Sequence, residues 1–310
     1  MRILVAGTPD VAVPCLRTLL DSHHDVLGVV TRPDAPAGRG RRMVASPVAV
    51  AAEQAGLAIL APRTPRDPEF LEVLRGLALD CVAVIAYGGL LPREALDIPR
   101  HGWVNLHFSL LPAWRGAAPV QHAILAGDDV TGATVFRIVE ALDSGPVYGT
   151  MTYAIGGRAT AGEVLADLST TADRLMVGVL DAIEDGRACP TAQDGEVTLA
   201  PRLTSADGRV DWSEPWFAID RRVRACTPAP GPWTTSRGRR LELGVLNGTD
   251  GGMDLRPGVL TAMKDAVWVG TGTSAVRLGQ VRPAGKAWMD AAAWVRGLRP
   301  QPHETLGGGQ

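Results

Sequence analysis

A chain of 310 residues with 46% hydrophobic content is long enough to bury one large core or two ordinary ones, and we expect two domains. Its longest apolar run, Cys81 to Pro92, is shorter than a membrane span, and the first apolar run stops at Thr8-Pro9-Asp10, too early for a signal peptide. These features exclude membrane-spanning and secreted proteins and predict a cytoplasmic one.

The net charge of −2 combines an acidic first part with a basic second part. Residues 1–185 hold 15 Lys and Arg against 21 Asp and Glu, whereas residues 186–310 hold 16 against 12. The basic excess in the second part permits a nucleic-acid partner without requiring one, because an excess of this size is common on ordinary protein surfaces.

The sequence contains no Cys-x-x-Cys pair and no zinc ligand set. We therefore expect most of the four cysteines to be reduced, buried thiols: Cys15, Cys81, Cys189 and Cys226. His23-His24 precedes Asp25, and we assign this pair to a solvated helix-to-strand turn rather than to a metal site.

The chain opens with a predicted βα unit. Residues 2–6 form a buried strand, and the following helix would use Asp10 as its N-cap. The turn after Gly7 lacks the second and third glycines of a dinucleotide-binding fingerprint, so we expect no nicotinamide or flavin cofactor. Residues 26–31 form the next strand.

Residues 32–42 contain two prolines, two glycines and four arginines. This composition leaves little scope for a packed element and predicts a long exposed loop. Loops of this length in compact domains are either functional or simple mobile connections, and the sequence alone leaves both readings open.

The alternation of helices and strands then continues. A helix begins at Ser46-Pro47, with Ser46 as N-cap, and short strands are predicted at 57–60 and 81–86 on either side of a helix over 67–76. Repeated βα units of this kind predict a mostly parallel, Rossmann-like sheet with helices on both faces and ligands at the carboxyl ends of its strands. Tyr87-Gly88 lies at such an end.

A strand over 103–107 carries two polar residues on one face, Asn105 and His107, because side chains alternate along a strand. The simplest alternative is a core histidine and a strand-end asparagine without a catalytic role. The next predicted strand, 132–139, runs into an acidic turn at Asp143. A carboxylate beside His107 would raise its pKa and fix its tautomer, and Asn105 could donate to a developing oxyanion.

The remaining chain contains predicted helices over 117–126 and 160–184 and a strand over 146–154, followed by a linker over 186–206. Beyond it we expect a helix near 216–225 with three arginines and short strands separated by glycine-rich turns, which predict a small barrel. Those strands lie around 241–246, 256–262, 265–270 and 275–281. A last helix over 290–297 precedes a tail that we expect to be disordered.

The motif Asn105-x-His107-x-Ser109-Leu110-Leu111-Pro112-x-Trp114-Arg115-Gly116, together with Leu142-Asp143-Ser144-Gly145, resembles the folate-dependent formyltransferases. The resemblance extends to the loop at 36–40 and to Pro283-Ala284-Gly285-Lys286. It implies that the catalytic residues are Asn105, His107 and Asp143. It also implies a folate pocket formed by Tyr87, Gly88, Ser109, Leu110, Leu111, Pro112 and Gly116.

The same resemblance implies formyl transfer from 10-formyltetrahydrofolate, as co-substrate and without a metal, to the α-amino group of methionyl initiator tRNA. It assigns tRNA contacts to Arg39, Arg41 and Arg42. The implied domains are a catalytic domain over 1–185, a linker over 186–206 and an OB-like tRNA-binding domain over 207–310. We expect a monomer that does not contact the membrane.

Two alternatives remain open at this stage. Other formyltransferases use the same three residues on sugar-nucleotide amines, and these enzymes would not need the arginines at 39–42. A tRNA-binding module built on an inactivated scaffold is the other alternative, although all three catalytic positions are intact.

Overall fold

The computed structural model describes residues 1–37 and 42–308. The chain forms two compact units, each assembled from several segments. The first unit comprises Met1–Pro119, Val130–Ala154 and Leu165–Pro201, and the second comprises Val120–Asp129, Ile155–Val164 and Arg202–Gln310.

A seven-stranded sheet organises the first unit, in the order β5-β2-β1-β6-β7-β8-β9. Its strands are β1 (Arg2–Gly7), β2 (Asp25–Val30), β5 (Ala58–Leu60), β6 (Cys81–Ile85), β7 (Trp103–His107), β8 (Val130–Arg137) and β9 (Val147–Ala154). Two further strands, β3 (Ala35–Ala37) and β4 (Arg42–Val44), form a separate ribbon. The helices in this part of the chain are α1 (Val13–Leu20), α2 (Pro47–Gln54), α3 (Pro68–Gly76), α4 (Arg93–Leu96), α5 (Pro119–Ala126), α6 (Ala161–Thr171) and α7 (Asp173–Glu184).

The central strands of the sheet are buried on both faces, as expected for a parallel sheet covered by helices. β5, β2, β1, β6 and β7 are parallel, and β8 and β9 extend the sheet antiparallel. Leu4 and Ala6 pack with Phe70 of α3, while Ile3 and Val5 point to the opposite face and have no exposed area. The predicted mostly parallel α/β sheet is confirmed.

Two local predictions for the chain up to α7 were wrong. Asp10 is not an N-cap, because a 3-10 turn over Asp10–Ala12 precedes α1, whose cap is Ala12 without a side-chain hydrogen bond. The predicted helix over 160–184 is two helices separated at Ala172. By contrast, Ser46 caps α2 as predicted, and its hydroxyl accepts the Ala49 N–H at 3.0 Å.

The loop over 32–42 also differs from the prediction. It contains the antiparallel β3–β4 ribbon, in which Ala35 pairs with Val44 and Ala37 with Arg42. The prediction missed the ribbon because the segment lacks alternating hydrophobicity. Its side chains face solvent, as at Arg42 and Met43, so the predicted exposure is confirmed for these described residues.

The second unit is built on short antiparallel strands. One four-stranded sheet has the order β10-β11-β16-β17 and the other β12-β15-β14-β13. The strands are β10 (Trp233–Ser236), β11 (Arg239–Leu243), β12 (Thr249–Asp250), β13 (Leu260–Ala262), β14 (Val267–Val269), β15 (Ala275–Arg277), β16 (Gln280–Pro283) and β17 (Met289–Asp290), with helices α8 (Trp216–Ala225) and α9 (Ala291–Leu298). The segment predicted as one strand over 275–281 is divided between β15 and β16, which lie in different sheets. A small, strand-rich second domain is confirmed.

The described part of the tail beyond α9, residues 299–308, includes a packed segment, contrary to the prediction of disorder. The Leu306 side chain is 3% exposed and belongs to the hydrophobic core of the second unit. Its N–H donates to the Gly258 carbonyl at 2.8 Å, and the Gly307 N–H donates to Thr235 at 2.8 Å. The sequence resembles a flexible tail because a single buried leucine among polar and glycine residues produces no periodic signal. Among the described residues, no helix is long and apolar enough to cross a membrane.

Candidate active site

Strand β7 places Asn105 and His107 on one face of the sheet, two residues apart. Asn105 pairs with Phe136 and His107 with Thr134 across the antiparallel β8. His107 is 6% exposed, and its ring meets Phe136 edge to face at 6.3 Å between centroids. The strand therefore fixes both polar side chains on a rigid element.

A turn over 109–116 folds back over His107. Thr134 fixes the start of this turn, because its buried hydroxyl donates to the Ser109 carbonyl at 2.6 Å and accepts the Leu111 N–H at 3.1 Å. The Ser109 hydroxyl donates to the Ala113 carbonyl at 2.6 Å, and the Leu111-Pro112 peptide is cis. This route brings the Trp114 carbonyl to the His107 ring.

The hydrogen bond to Trp114 determines the tautomer of His107. Nε2 of His107 lies 2.9 Å from the Trp114 carbonyl oxygen, and a carbonyl can only accept, so Nε2 carries the proton. Nδ1 lies 3.9 Å from Asp143 Oδ2. In the neutral ring Nδ1 therefore holds the lone pair, and a proton taken up there would face the Asp143 carboxylate.

The pKa of His107 corrects the expectation from sequence. Burial lowers the pKa of His107 below its ordinary value, while the Asp143 carboxylate and the Trp114 carbonyl raise it by less. The sequence predicted a raised pKa because it identified the neighbouring charge but not the depth of burial. The lowered pKa favours the neutral form of His107, whose Nδ1 lone pair can accept a proton.

The Asp143 loop is held in an uncommon backbone conformation. Asp143 has φ 45°, a left-handed value that few residues other than glycine adopt. Its carboxylate accepts the Gly116 N–H at 2.8 Å. A Cβ on Gly116 would lie 2.6 Å from the Ala200 carbonyl oxygen, so only glycine fits at this point of the turn.

Residues 191–200 hold the two loops together, although the sequence suggested only a linker. The Gln193 amide donates to the carbonyls of Asp143 and Gly145 at 2.8 and 2.9 Å, and its oxygen accepts from Arg115 at 2.6 Å. The Thr198 hydroxyl accepts the Trp114 N–H at 2.8 Å. Sequence reasoning missed Gln193 and Thr198, because hydrogen bonds from an irregular segment leave no periodic pattern.

The proposed folate residues divide into two groups. Ser109, Leu111 and Gly116 belong to the hydrogen-bonded turn around His107 and Asp143. Leu110 packs on Gly132, where an added Cβ would lie 2.7 Å from a Leu110 methyl.

Tyr87 and Gly88 lie after β6, at the carboxyl end of the neighbouring strand. Tyr87 is 3% exposed and its ring packs against Gly89, so it forms part of a wall rather than an open surface. Burial raises the pKa of its phenol. The folate roles of both groups stay predictions.

Asn105 differs from its neighbours in having no fixed partner. It is half-buried, and its side-chain amide makes no hydrogen bond within residues 1–37 and 42–308. An amide held on a strand beside His107 is available to an incoming oxygen atom. Of the predicted tRNA contacts, Arg42 is exposed in β4, whereas Arg39 and Arg41 lie outside the described residues.

The comparisons with known proteins agree with this site. Residues 1–180 match the family "Formyl transferase", and residues 202–299 match "Formyl transferase, C-terminal domain". The methionyl-tRNA formyltransferase of Salinispora arenicola is 58% identical over 308 residues, which cover 99% of this chain and 100% of the relative.

Solved structures share the fold at low identity. HypX from Aquifex aeolicus, solved with tetrahydrofolic acid, has a TM-score of 0.69 and 18% identity; the match covers 98% of this chain, which spans about half the length of HypX (48%). WlaRD, a sugar 3N-formyl transferase, has a TM-score of 0.65 and 14% identity, over 93% of this chain and 99% of that one. A sugar formyltransferase therefore shares this fold, so the fold does not identify the molecule that accepts the formyl group. Only the close sequence relatives bear on that molecule.

Proposed function

The chain belongs to the formyl transferase family, and we propose that it transfers the formyl group of 10-formyltetrahydrofolate to the α-amino group of methionyl initiator tRNA. The observation that carries this conclusion is the 58% identity, over the full length, with a methionyl-tRNA formyltransferase. Identity at this level, with Asn105, His107 and Asp143 all present, identifies a transferase that serves the initiation of protein synthesis.

In the proposed reaction the amine nitrogen attacks the formyl carbon, the bond from that carbon to the folate N10 breaks, and the proton lost by the amine ends on N10. Neutral His107 accepts this proton at Nδ1, the atom that faces Asp143 at 3.9 Å. The Asp143 carboxylate stabilises the imidazolium so formed. The lowered pKa of His107 supports this order, in which the ring is neutral before it accepts the proton.

Asn105 is the proposed oxyanion donor. As the amine adds, negative charge develops on the formyl oxygen, and an amide already held at the reacting position stabilises it without reorganisation. The Asn105 amide has no partner within residues 1–37 and 42–308, which supports this role because no hydrogen bond to those residues has to break. No step of the proposed reaction requires a metal ion.

We propose that the initiator tRNA contacts the β3–β4 ribbon and the domain over 207–310. Arg42 is exposed on β4, and Arg39 and Arg41 lie in the connection between the two strands. Arginine planes suit both phosphate contacts and stacking on bases.

The three arginines predicted on the helix at 216–225 all have partners within the second unit. Arg222 pairs with Glu214 at 3.0 Å and Arg224 with Asp220 at 2.7 Å, while Arg221 stacks on the Phe217 ring at 5.5 Å. These side chains stabilise the unit itself. We therefore propose no phosphate contacts from α8.

A direct test offers the protein 10-formyltetrahydrofolate with one of two amines, charged methionyl-tRNA or an amino-sugar nucleotide. Formylation of the methionyl-tRNA alone is expected. Deacylated tRNA is the matched control, since it keeps every phosphate but lacks the amine. Formylation of the sugar amine instead would establish the alternative acceptor, and formylation of neither would favour a binding module without catalysis.

As part of the same proposal the protein acts in the cytoplasm as a monomer. Sedimentation of the full chain would test the oligomeric state.

A further inference from the structure

Two histidines and two carboxylates converge in the first unit outside the candidate active site. His23 and His24 lie in the turn between α1 and β2, and Asp181 and Glu184 lie in the last turns of α7. His24 Nε2 is 3.2 Å from Asp181 Oδ1, and His23 Nε2 is 3.8 Å from the same oxygen. One ligand atom from each of His23, His24 and Asp181 lies within 4.8 Å of the others. The sequence predicted a solvated turn here, whereas the structure buries the His24 side chain.

Two buried atoms of this cluster lack hydrogen bonds within the described part of the chain. The His24 side chain has no exposed area, yet neither its Nε2 nor Asp181 Oδ1 has a hydrogen-bond partner among the described residues, although they are only 3.2 Å apart. The ring N–H therefore does not point at the oxygen. Buried polar atoms are almost always satisfied in native proteins, and two unsatisfied atoms that face each other require an explanation.

A metal ion between them provides that explanation. Two ligand atoms bound to a tetrahedral Zn²⁺ at about 2.0–2.1 Å lie roughly 3.3 Å apart, away from each other's lone-pair direction. The measured 3.2 Å matches this separation. We propose that His23, His24 and Asp181 form a structural Zn²⁺ site that joins the turn before β2 to the end of α7.

The surroundings of His24 suit this assignment. Its Nδ1 lies 3.5 Å from Glu184 Oε2 and 3.3 Å from the Met1 amino group, which itself donates to Glu184 Oε1 at 2.7 Å. In the metal-free ring Nδ1 accepts from the Met1 ammonium, which can only donate, so Nε2 carries the proton. Zn²⁺ at Nε2 would displace that proton, and the tautomer protonated on Nδ1 would give up the Met1 contact and donate to Glu184, the arrangement in which metal-bound histidines are usually held. His23 now bonds Glu184 Oε2 at 2.8 Å, and its exposed ring exchanges that contact for the metal.

Imidazole and carboxylate ligands together select Zn²⁺ over the harder ions Mg²⁺ and Ca²⁺, which prefer oxygen ligands alone. The site lies at the amino end of β2, whereas His107 lies at the carboxyl end of the parallel strand β7. The two sites therefore lie at opposite ends of the parallel strands. The proposed ion stabilises the fold without taking part in formyl transfer.

The test is a calorimetric titration of the metal-free, untagged full chain with Zn²⁺ alone. We expect one ion per chain with a micromolar or lower Kd, and a Tm raised by about 5 °C when free Zn²⁺ is a hundredfold above Kd. His23→Ala should weaken binding at least tenfold and still fold, because the His23 side chain is 63% exposed. Asp181→Asn should do the same by removing the charged ligand.

Two matched variants control for adventitious binding. His303→Ala removes an exposed histidine elsewhere, and Cys189→Ser removes the exposed thiol; both should bind Zn²⁺ as the wild type does. Co²⁺ in place of Zn²⁺ should give the intense visible absorption of a tetrahedral ion. The proposal is overturned if the wild type binds less than one ion, if the His23 and Asp181 variants bind as tightly as the controls, or if the Co²⁺ spectrum is octahedral.

Discussion

Replacing Asp143 by asparagine removes a charge while preserving the local geometry. The amide oxygen can still accept the Gly116 N–H, which now donates to the carboxylate at 2.8 Å. The lost interaction is the attraction between the carboxylate and protonated His107 across 3.9 Å. At an effective dielectric constant near 20 this attraction is worth about 4 kcal/mol, or roughly 10³ in rate. We therefore expect kcat/KM to fall by about 10²–10⁴.

The pH profile separates this explanation from a structural defect. In the proposed mechanism neutral His107 acts as the base, so activity should rise as pH increases through its pKa. The Asp143 charge raises that pKa against the larger effect of burial, and Asp143→Asn must shift the acidic limb of the profile to lower pH while the plateau falls. Asp67→Asn, which alters an exposed helix cap that can still accept the Glu69 N–H, is the control. A folded Asp143→Asn variant with normal turnover, or with an unshifted limb, would refute the assignment.

Asn105→Ala removes the proposed oxyanion donor, and steady-state assays should show kcat lowered by about 10²–10³ with the folate KM nearly unchanged; a raised folate KM at normal kcat would make Asn105 a binding residue. Replacing Arg39, Arg41 and Arg42 together with alanine should leave the Tm almost unchanged, raise the tRNA KM and flatten its dependence on salt, without affecting the folate KM. Equal tRNA kinetics for the wild type and the triple variant would show that the loop does not recognise tRNA. Leu306→Ala should lower the free energy of unfolding by about 2–5 kcal/mol in a denaturant titration, because the side chain is buried in the core; a loss below about 0.5 kcal/mol would mean that the tail is not packed in solution.

The sequence predicted those parts of the fold and site that local patterns determine. The buried strand β6 is a continuous apolar run, and the alternation along β7 was enough to place Asn105 and His107 on one face. The helix at 216–225 and the Ser46 cap follow from short-range rules as well. Each of these features depends only on neighbours within a few residues.

Features that depend on distant residues could not be predicted from sequence patterns. The sign of the His107 pKa shift depends on how deeply the sheet buries the ring, and no pattern within β7 gives that depth. Leu306 looks like part of a flexible tail until it packs into the core of the second unit. His24 reads as a turn residue, yet α7, more than 150 residues later, supplies the carboxylates that face it.

Gln193 lies in the segment that the sequence predicted to be a linker, yet it contacts the candidate site. Asp143 can hold φ 45° only if surrounding contacts determine it, because the left-handed region is strained for a residue with a Cβ. Gln193 supplies two of those contacts through the carbonyls of Asp143 and Gly145, and it also fixes Arg115 on the opposite loop. The residue that positions the carboxylate for His107 therefore comes from a stretch without helix or strand periodicity. The geometry of the proposed catalytic site depends on that irregular segment as much as on the strand that carries His107.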